Sequence, residues 1–293
     1  MKVLSLIIPL IALAVLRTSA QQYTPPTQYM NLPVFSNPAA ATLSAEGAAM
    51  ASGRWQWAGI EGAPTSFRAG AHLPIGKADL QGGLLLRQDK MAVEKQTDVT
   101  AFVALPVQVA SETYLSLSIQ AGFQEFRGDY SSLDAMDPAF AYNEKRSSAL
   151  IGAGLMLYKP GRFMVGLSMP AMPVFDGNSL RTPAYYHLLA AGLLPLEGDF
   201  QLKPAMQLSY SKTVLFKADF SGSLIYAEQF GAGINGNNYG EFAGLLNFYQ
   251  GRIGIGYSYQ FATGHKVARA FTASSTHELS FRIAFGKEKP GFL

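Results

Sequence analysis

The chain is predicted to be all-β: a single antiparallel transmembrane β-barrel of about 14 strands, preceded by a cleaved signal peptide. Three observations predict it. From Glu46 to Phe285 apolar residues fall at about every second position, with no helical stretch between them. A strand turns successive side chains to opposite faces, so this spacing makes two-faced strands. The chain opens on a secretory leader, and no later run is long and apolar enough for a membrane-crossing helix. Charged residues are scarce at 15% and aromatics plentiful at 12%, as suits a wall with lipid on one side.

The elements follow in order. In residues 1–20, Lys2 is the positive n-region and Val3 to Leu16 an apolar run too short to span a bilayer. Thr18-Ser19-Ala20 offers small residues for cleavage before Gln21. The alternative, an uncleaved N-terminal anchor, would call for a longer run. Residues 21–45 carry Pro25, Pro26, Pro33 and Pro38 among polar side chains, so they are read as an ordered extension or plug segment. The barrel itself is assigned to 46–285. Its strand candidates are 46–55, 64–73, 77–88, 95–107, 112–125, 147–158, 161–170, 184–194, 198–210, 214–225, 229–236, 241–249, 251–261 and 276–285. Residues 286–293 are a C-terminal tail.

The strand 251–261 shows the pattern best. Ile253, Ile255, Tyr257, Tyr259 and Phe261 share one face; Gly254, Gly256, Ser258 and Gln260 share the other. The last strand puts Leu279, Phe281, Ile283 and Phe285 outward, a terminal strand ending in an aromatic. Connections alternate in length along the chain. The long set includes 56–63, 126–146, 171–183 and 262–275; the short set includes 74–76, 159–160, 197–198 and 250–251. Outer-membrane barrels have long external loops and short periplasmic turns. An even strand number then puts both 21–45 and the tail on the periplasmic side. A soluble β-sandwich with an aromatic core is the other arrangement this periodicity allows. Low charge and alternating connections favour the barrel.

Composition excludes several function classes. There is no cysteine, hence no disulfide, thiolate metal site or cysteine nucleophile. The net charge is +3, and Lys2 and Arg17 leave with the leader, so no basic surface for nucleic acid remains. Gly231 to Gly236 reads G-x-G-x-x-G, but a dinucleotide site needs a following helix and a strand follows here. The histidines His72, His187, His265 and His277 have no partners at metal-ligand spacing. No G-x-S-x-G marks a nucleophile. The acids Asp129, Asp134, Asp137 and Glu144 in loop 126–146 lack EF-hand spacing, and a solvated external loop accounts for them as well as calcium does. Arg68, Asp79, Arg87, Lys203, Lys217, Asp219, Arg252 and Arg282 are expected to face the lumen and pair among themselves. No catalytic residue, metal site, cofactor or cofactor-binding residue is assigned.

Three stretches resemble a known family. Gln28-Tyr-Met-Asn-Leu-Pro-Val-Phe-Ser-Asn-Pro-Ala-Ala-Ala41 is similar to the Q-Y-M…N-P-A opening of the PorP/SprF proteins. Arg54-Trp-Gln-Trp-Ala-Gly-Ile-Glu-Gly-Ala-Pro64, with Ala71-His-Leu-Pro74 behind it, resembles their R-x-Q-W-x-G-x-x-G-A-P…H-x-P block. Asp137-Pro-Ala-Phe140 matches a D-P-A-F in the middle loop. The chain departs at Ala40-Ala41, where tyrosine and glycine are common, and at the added Trp55. The resemblance implies a non-enzymatic outer-membrane barrel of type IX secretion and gliding in Bacteroidota. Its partners would be outer-membrane lipid, secretion components, cargo adhesins and periplasmic motor proteins. A passive porin-like channel is the alternative that the fold allows.

The motif residues Asn37, Pro38, Trp55, Trp57, Gly59, Gly62, Ala63, Pro64, Asp137 and Pro138 are assigned structural or partner-facing roles. Tryptophans at a strand end anchor barrels at the headgroup level. Asn37-Pro38 favours a turn before the first strand. Loop 126–146, with Phe126, Tyr130, Phe140 and Tyr142, is suited either to protein contact or to folding inward as a plug.

Overall fold

The computed structural model describes residues 25–76, 79–133, 137, 142–174, 184–211, 215–262 and 275–286. The strands are β1 (Ala48–Trp55), β2 (Thr65–Ile75), β3 (Leu80–Met91), β4 (Glu94–Ala110), β5 (Thr113–Gly128), β6 (Glu144–Lys159), β7 (Phe163–Val174), β8 (Tyr186–Gly192, resumed at Leu194–Pro195), β9 (Phe200–Ser211), β10 (Leu215–Tyr226), β11 (Phe230–Asn237), β12 (Glu241–Gln250), β13 (Ile253–Ala262) and β14 (Thr276–Ala284). The two pieces of β8 count once because both pair with β9. Each strand pairs antiparallel with its neighbours in sequence. β1 pairs with β14 from Ala48↔Ala284 to Trp55↔His277, which closes the sheet. Closure leaves no open edge, the condition for strands to cross lipid. No helix among the described residues is long and apolar enough to cross a membrane; the crossing is made by strands.

The outer face is apolar all round. Ile119 is 66% exposed and Ile234 74%, and Phe67, Leu84, Leu167, Phe220, Leu246 and Phe281 are exposed with them. On β5 this face runs Leu115, Leu117, Ile119, Ala121, Phe123 and then changes to Glu125 and Arg127, which ion-pair with each other, Lys145 joining from β6. From Leu115 to Phe123 is roughly 26 Å of strand, or about 20 Å of depth at a barrel tilt of about 40°. That is close to the height of an outer-membrane apolar band, so the carboxylate–cation cluster marks where lipid ends.

β1 begins and β14 ends at one rim, here the turn end; the opposite rim is the loop end. The loop end carries the connections 56–64, 129–143, 175–185 and 263–275, as expected. Three of its connections are nevertheless as short as turns: 92–93, 212–214 and 238–240. At the first, Ala92 takes φ +50°, the handedness a tight hairpin needs. Both ends of the assigned loop 126–146 also move onto strands. Phe126, Arg127 and Gly128 lie on β5, and Glu144, Lys145 and Arg146 lie on β6, because cross-strand pairing of charges extends the ladder past the lipid band.

The inner face is polar but filled. Two charges expected there are absent from it. Asp79 and Arg252 are exposed in turns, Asp79 with φ +53°, because the strands start after them. Arg68, Lys203, Lys217 and Asp219 do point inward and are buried. Lys217 and Asp219 pair at 3.3 Å, and Arg87 reaches Asp98 at 3.2 Å, as mutual pairing predicts.

Candidate functional site: a segment held in the lumen

Of the two roles the sequence allows the segment before β1, a periplasmic extension or a plug, its described part has the position of the second: it lies inside the barrel, in contact with both halves of the wall. Prolines and small residues make it compact: Pro33–Phe35 and Pro38–Leu43 are 3-10 turns, each begun by a proline. Proline suits a first helical position because it has no N–H to leave unpaired. Tyr29, Leu32, Val34, Ala39, Ala40 and Ala41 are buried against inward-facing Met50, Phe102, Met156, Tyr158, Met164 and Leu189. The inner wall is thus apolar along part of its contact with this segment.

Asn37 holds the middle of the segment. It is buried, and its Oδ1 accepts from Ala39 N at 3.1 Å, capping the second 3-10 turn. Its Nδ2 donates to Leu155 O at 3.0 Å and Leu167 O at 3.3 Å, carbonyls of the paired strands β6 and β7. The approach needs two glycines. A Cβ on Gly154 would stand 2.2 Å from Asn37 Oδ1, and one on Gly166 2.6 Å from its Nδ2. Asn37-Pro38 therefore makes the expected turn, but locked to the wall and buried. Nearer the turn end, Ser116 Oγ donates to Ala39 O, Tyr158 OH to Thr42 O and Gln81 Nε2 to Ala45 O, each at 3.0 Å.

The other end of the segment rises toward the loop end and meets Arg54. The Arg54 guanidinium, 2% exposed, ion-pairs with Glu278 at 3.5 Å and donates to Pro25 O at 3.0 Å and Gln260 Oε1 at 2.9 Å. Glu278, 1% exposed, accepts from the backbone N–H groups of Thr27 and Gln28 at 2.9 and 3.2 Å. Gln28 also donates to Glu278 O at 3.0 Å. Buried charge is costly unless paired and hydrogen-bonded, and both conditions hold here. Tyr29 reaches Ser221 at 3.1 Å, and burial pushes its phenol well up from the ordinary tyrosine value. Asn31 Nδ2 donates to Asn247 Oδ1 at 2.6 Å, and Ser168 Oγ to Ser36 O at 2.6 Å. Contacts thus run from β13, β14 and β1 around to β7, and 25–44 fills the section between.

The remaining motif residues cluster at the loop end. Trp55 ends β1, pointing outward and 49% exposed. Trp57, Gly59, Gly62, Ala63 and Pro64 form the β1–β2 connection. Gln56 N donates to Pro64 O at 3.0 Å, and Ala92 N to Gly62 O at 2.8 Å. Gly62 sits at φ +72°, which favours glycine. Asp137 lies in the β5–β6 connection; Pro138, Asp134 and Phe140 fall outside the described residues. Tyr130 OH donates to Glu94 Oε1 at 2.6 Å, and Tyr142 is exposed.

His72 and His187 are buried lumen residues bonded to Gln81 and Ser209. His277 joins Tyr257 and Tyr259 in an aromatic group at the loop end of β13 and β14. Gly231 to Gly236 lies in β11, with Gly231 and Asn235 buried on the inner face. No group of three metal-ligating side chains occurs among the described residues.

Sequence reasoning did not single out Arg54, Glu278 and Gln260, which hold the inner segment. The available signal was a buried-face acid, Glu278, in a strand with otherwise uncharged or basic neighbours.

The family model for the type IX secretion system membrane protein PorP/SprF matches residues 18–283. No curated protein matches the chain. Among solved structures, a Pseudomonas aeruginosa FadL homologue superposes with TM-score 0.50 at 11% identity, covering 92% of this chain and 96% of that one. A mutant of TodX, described as a monoaromatic hydrocarbon channel, gives TM-score 0.50 at 10% identity over 86% and 94%. Likeness at this identity concerns the barrel fold.

Proposed function

The chain belongs to the PorP/SprF family of type IX secretion system membrane proteins, and from that premise we propose a non-enzymatic outer-membrane barrel that supports secretion or surface attachment of cargo proteins. Periplasmic motor components are the second class of partner in this reading. The observation that carries it is the filled lumen. A barrel that passes solutes needs a continuous polar path, and here residues 25–44 occupy the bore, hydrogen-bonded to opposite walls. Partners then meet the barrel at its rims. The loop end, with its long connections, is the external docking face, and the turn end faces the periplasm. Residues 25–44 act as a resident plug. The rival porin reading requires that plug to be absent or to move.

Two measurements test this. In planar bilayers, the wild-type protein is expected to be closed and a deletion of residues 27–44 to conduct. In cells, removing the gene should abolish a secreted or surface-bound protein while leaving small-solute uptake unchanged. Open wild-type channels together with intact secretion would replace this reading with the porin.

A further inference from the structure

The outer face changes from apolar to basic along register rows on four neighbouring strands. The last apolar row is Leu86, Val99, Phe123 and Ala149 on β3, β4, β5 and β6, each paired directly with the next. The next outward row toward the loop end is Gln88, Thr97, Glu125 and Ser147. The row after it is Lys90, Lys95, Arg127 and Lys145, again in direct register. All four cations are exposed, and they stand side by side on the face that meets the membrane. Other strands carry aromatics at outward positions near the loop end: Trp55, Tyr186, Tyr210, Phe216, Phe242 and Phe261.

Like charges directly opposite each other destabilise a sheet, and here three such oppositions follow one another. Glu125 is one carboxylate shared between Arg127 and Lys145. No ion pair to Lys90 or Lys95 occurs among the described residues. The nearby acids are engaged elsewhere: Asp89 and Asp98 with Arg87, Glu144 with Arg146, and Glu94 with the Tyr130 hydroxyl. The row therefore carries a surplus of positive charge. Its height is that of lipid headgroups. From Phe123 to Arg127 is roughly 13 Å of strand, or about 10 Å of height at the barrel tilt. The headgroup layer reaches about 5–7 Å beyond the hydrocarbon on each side, and long lysine and arginine side chains bend toward it.

We propose that this row binds the phosphate of a phosphorylated glycolipid in the outer leaflet, seated between Lys90 and Lys95 and reached by Arg127. Adjacent strands lie about 4.8 Å apart, so two ammonium groups bracket one phosphate, and a guanidinium adds a planar pair of donors. The bound phosphate relieves the like-charge oppositions, so the lipid stabilises this part of the wall. A lipid fits better than an acidic protein because the cations project sideways from the wall, not upward from the rim where protein partners are placed. The choice of leaflet rests on the loop end being external.

The test uses the full-length protein in an uncharged detergent, with lipid A as the probe and bound lipid counted by native mass spectrometry. Saturable binding is expected, weakened by salt and by removal of the lipid's phosphate. Lys90→Gln combined with Lys95→Gln should weaken it at least tenfold. Lys159→Gln, which removes a lysine paired with Glu112 at the turn end, should leave it unchanged. Glu125→Gln should bind severalfold tighter, a gain that misfolding does not produce. Folding of each variant is checked by heat-modifiable gel migration. Absence of saturable binding overturns the proposal. So does wild-type affinity in the double lysine variant. Equal affinity for phosphatidylglycerol, or full competition by inorganic phosphate at equal concentration, would mean that the row selects no glycolipid. Tighter binding of polyglutamate than of lipid A would assign the row to an acidic protein. Either result removes the lipid site.

Discussion

Glu278→Gln isolates the charge at the upper anchor of the inner segment. The substitution keeps the shape of the side chain and removes one negative charge from a site only 1% exposed. Three donors converge on the carboxylate: Arg54 Nη1 at 3.5 Å, Thr27 N at 2.9 Å and Gln28 N at 3.2 Å. In the variant one oxygen becomes an NH₂ group and faces a donor. A hydrogen bond to a charged group contributes about 1.5–3 kcal/mol. Breaking a buried ion pair from one side costs about 3–5 kcal/mol, because the surviving charge stays buried. These figures overlap rather than add, so the expected loss is about 3–5 kcal/mol. It should appear as a lower temperature for the folded-to-unfolded gel shift. It should also loosen the segment. The chain has no cysteine, so Met30→Cys gives a single thiol whose maleimide labelling reports access to the lumen. Labelling should be slow in the parent and faster with Glu278→Gln. Arg54→Met alone should be similarly damaging, and the double variant less so than the two losses summed, since no charge is left uncompensated. A Glu278→Gln protein within about 1 kcal/mol of wild type, or a strictly additive double variant, would refute the view that this pair anchors the segment.

Asn37→Ala removes three hydrogen bonds and should cost about 2–4 kcal/mol at roughly 0.5–1.5 each; Gly154→Ala, whose Cβ would displace Asn37, should match it in melting and in raised bilayer conductance. Ile255→Arg places a charge on an outward site 42% exposed and should cost about 2–4 kcal/mol near mid-membrane, read as less folded protein in outer-membrane fractions. Ser258→Arg, on the inner face, should also impair assembly, because Ser258 is 1% exposed in a filled lumen rather than solvated by a pore. Deleting Ser131 to Ala141 should leave the barrel folded, and measured loss of cargo at the cell surface would assign docking to the β5–β6 connection.

The strands were legible because one face meets lipid and the other does not, and period-two burial writes itself directly into sequence. The filled lumen was written more faintly. In Leu150 to Tyr158 both faces are apolar: Ile151, Ala153, Leu155 and Leu157 outward, Leu150, Met156 and Tyr158 inward. A strand with a watery lumen behind it has no reason to place methionine and tyrosine inward, so this loss of contrast marks the wall on which the inner segment lies. The Arg54–Glu278 pair was invisible because its members stand 224 positions apart, and only barrel closure makes them neighbours across β1 and β14. The bulge in β7 had a local signal, Pro170 at the end of the strand candidate 161–170 and Pro173 just beyond it, but proline there also reads as the start of a loop.

Closure and filling are one event in this topology. β1 and β14 are the last edges to meet, and their pairing aligns Arg54 with Glu278 in register. The inner segment is continuous with β1 through Ser44 to Gly47, and Phe285 N donates to Gly47 O at 3.0 Å across the seam. Its contacts extend to β5, β6 and β7 on the opposite wall. Once the seam is shut, a chain of prolines and buried apolar side chains has no route into an apolar-lined bore except past the turn-end rim. Before the seam is shut, it can lie on the curved sheet of β4 to β7 as a ligand, burying Phe102, Met156 and Met164. Those inward apolar residues would otherwise face water during assembly, a state prone to aggregation. The buried ion pair then forms only when both the segment and the seam are in place. A buried pair whose desolvation offsets much of its attraction specifies the closed, filled state more than it stabilises it. Under the proposed reading, in which partners meet the barrel at its rims, that specification keeps the bore filled.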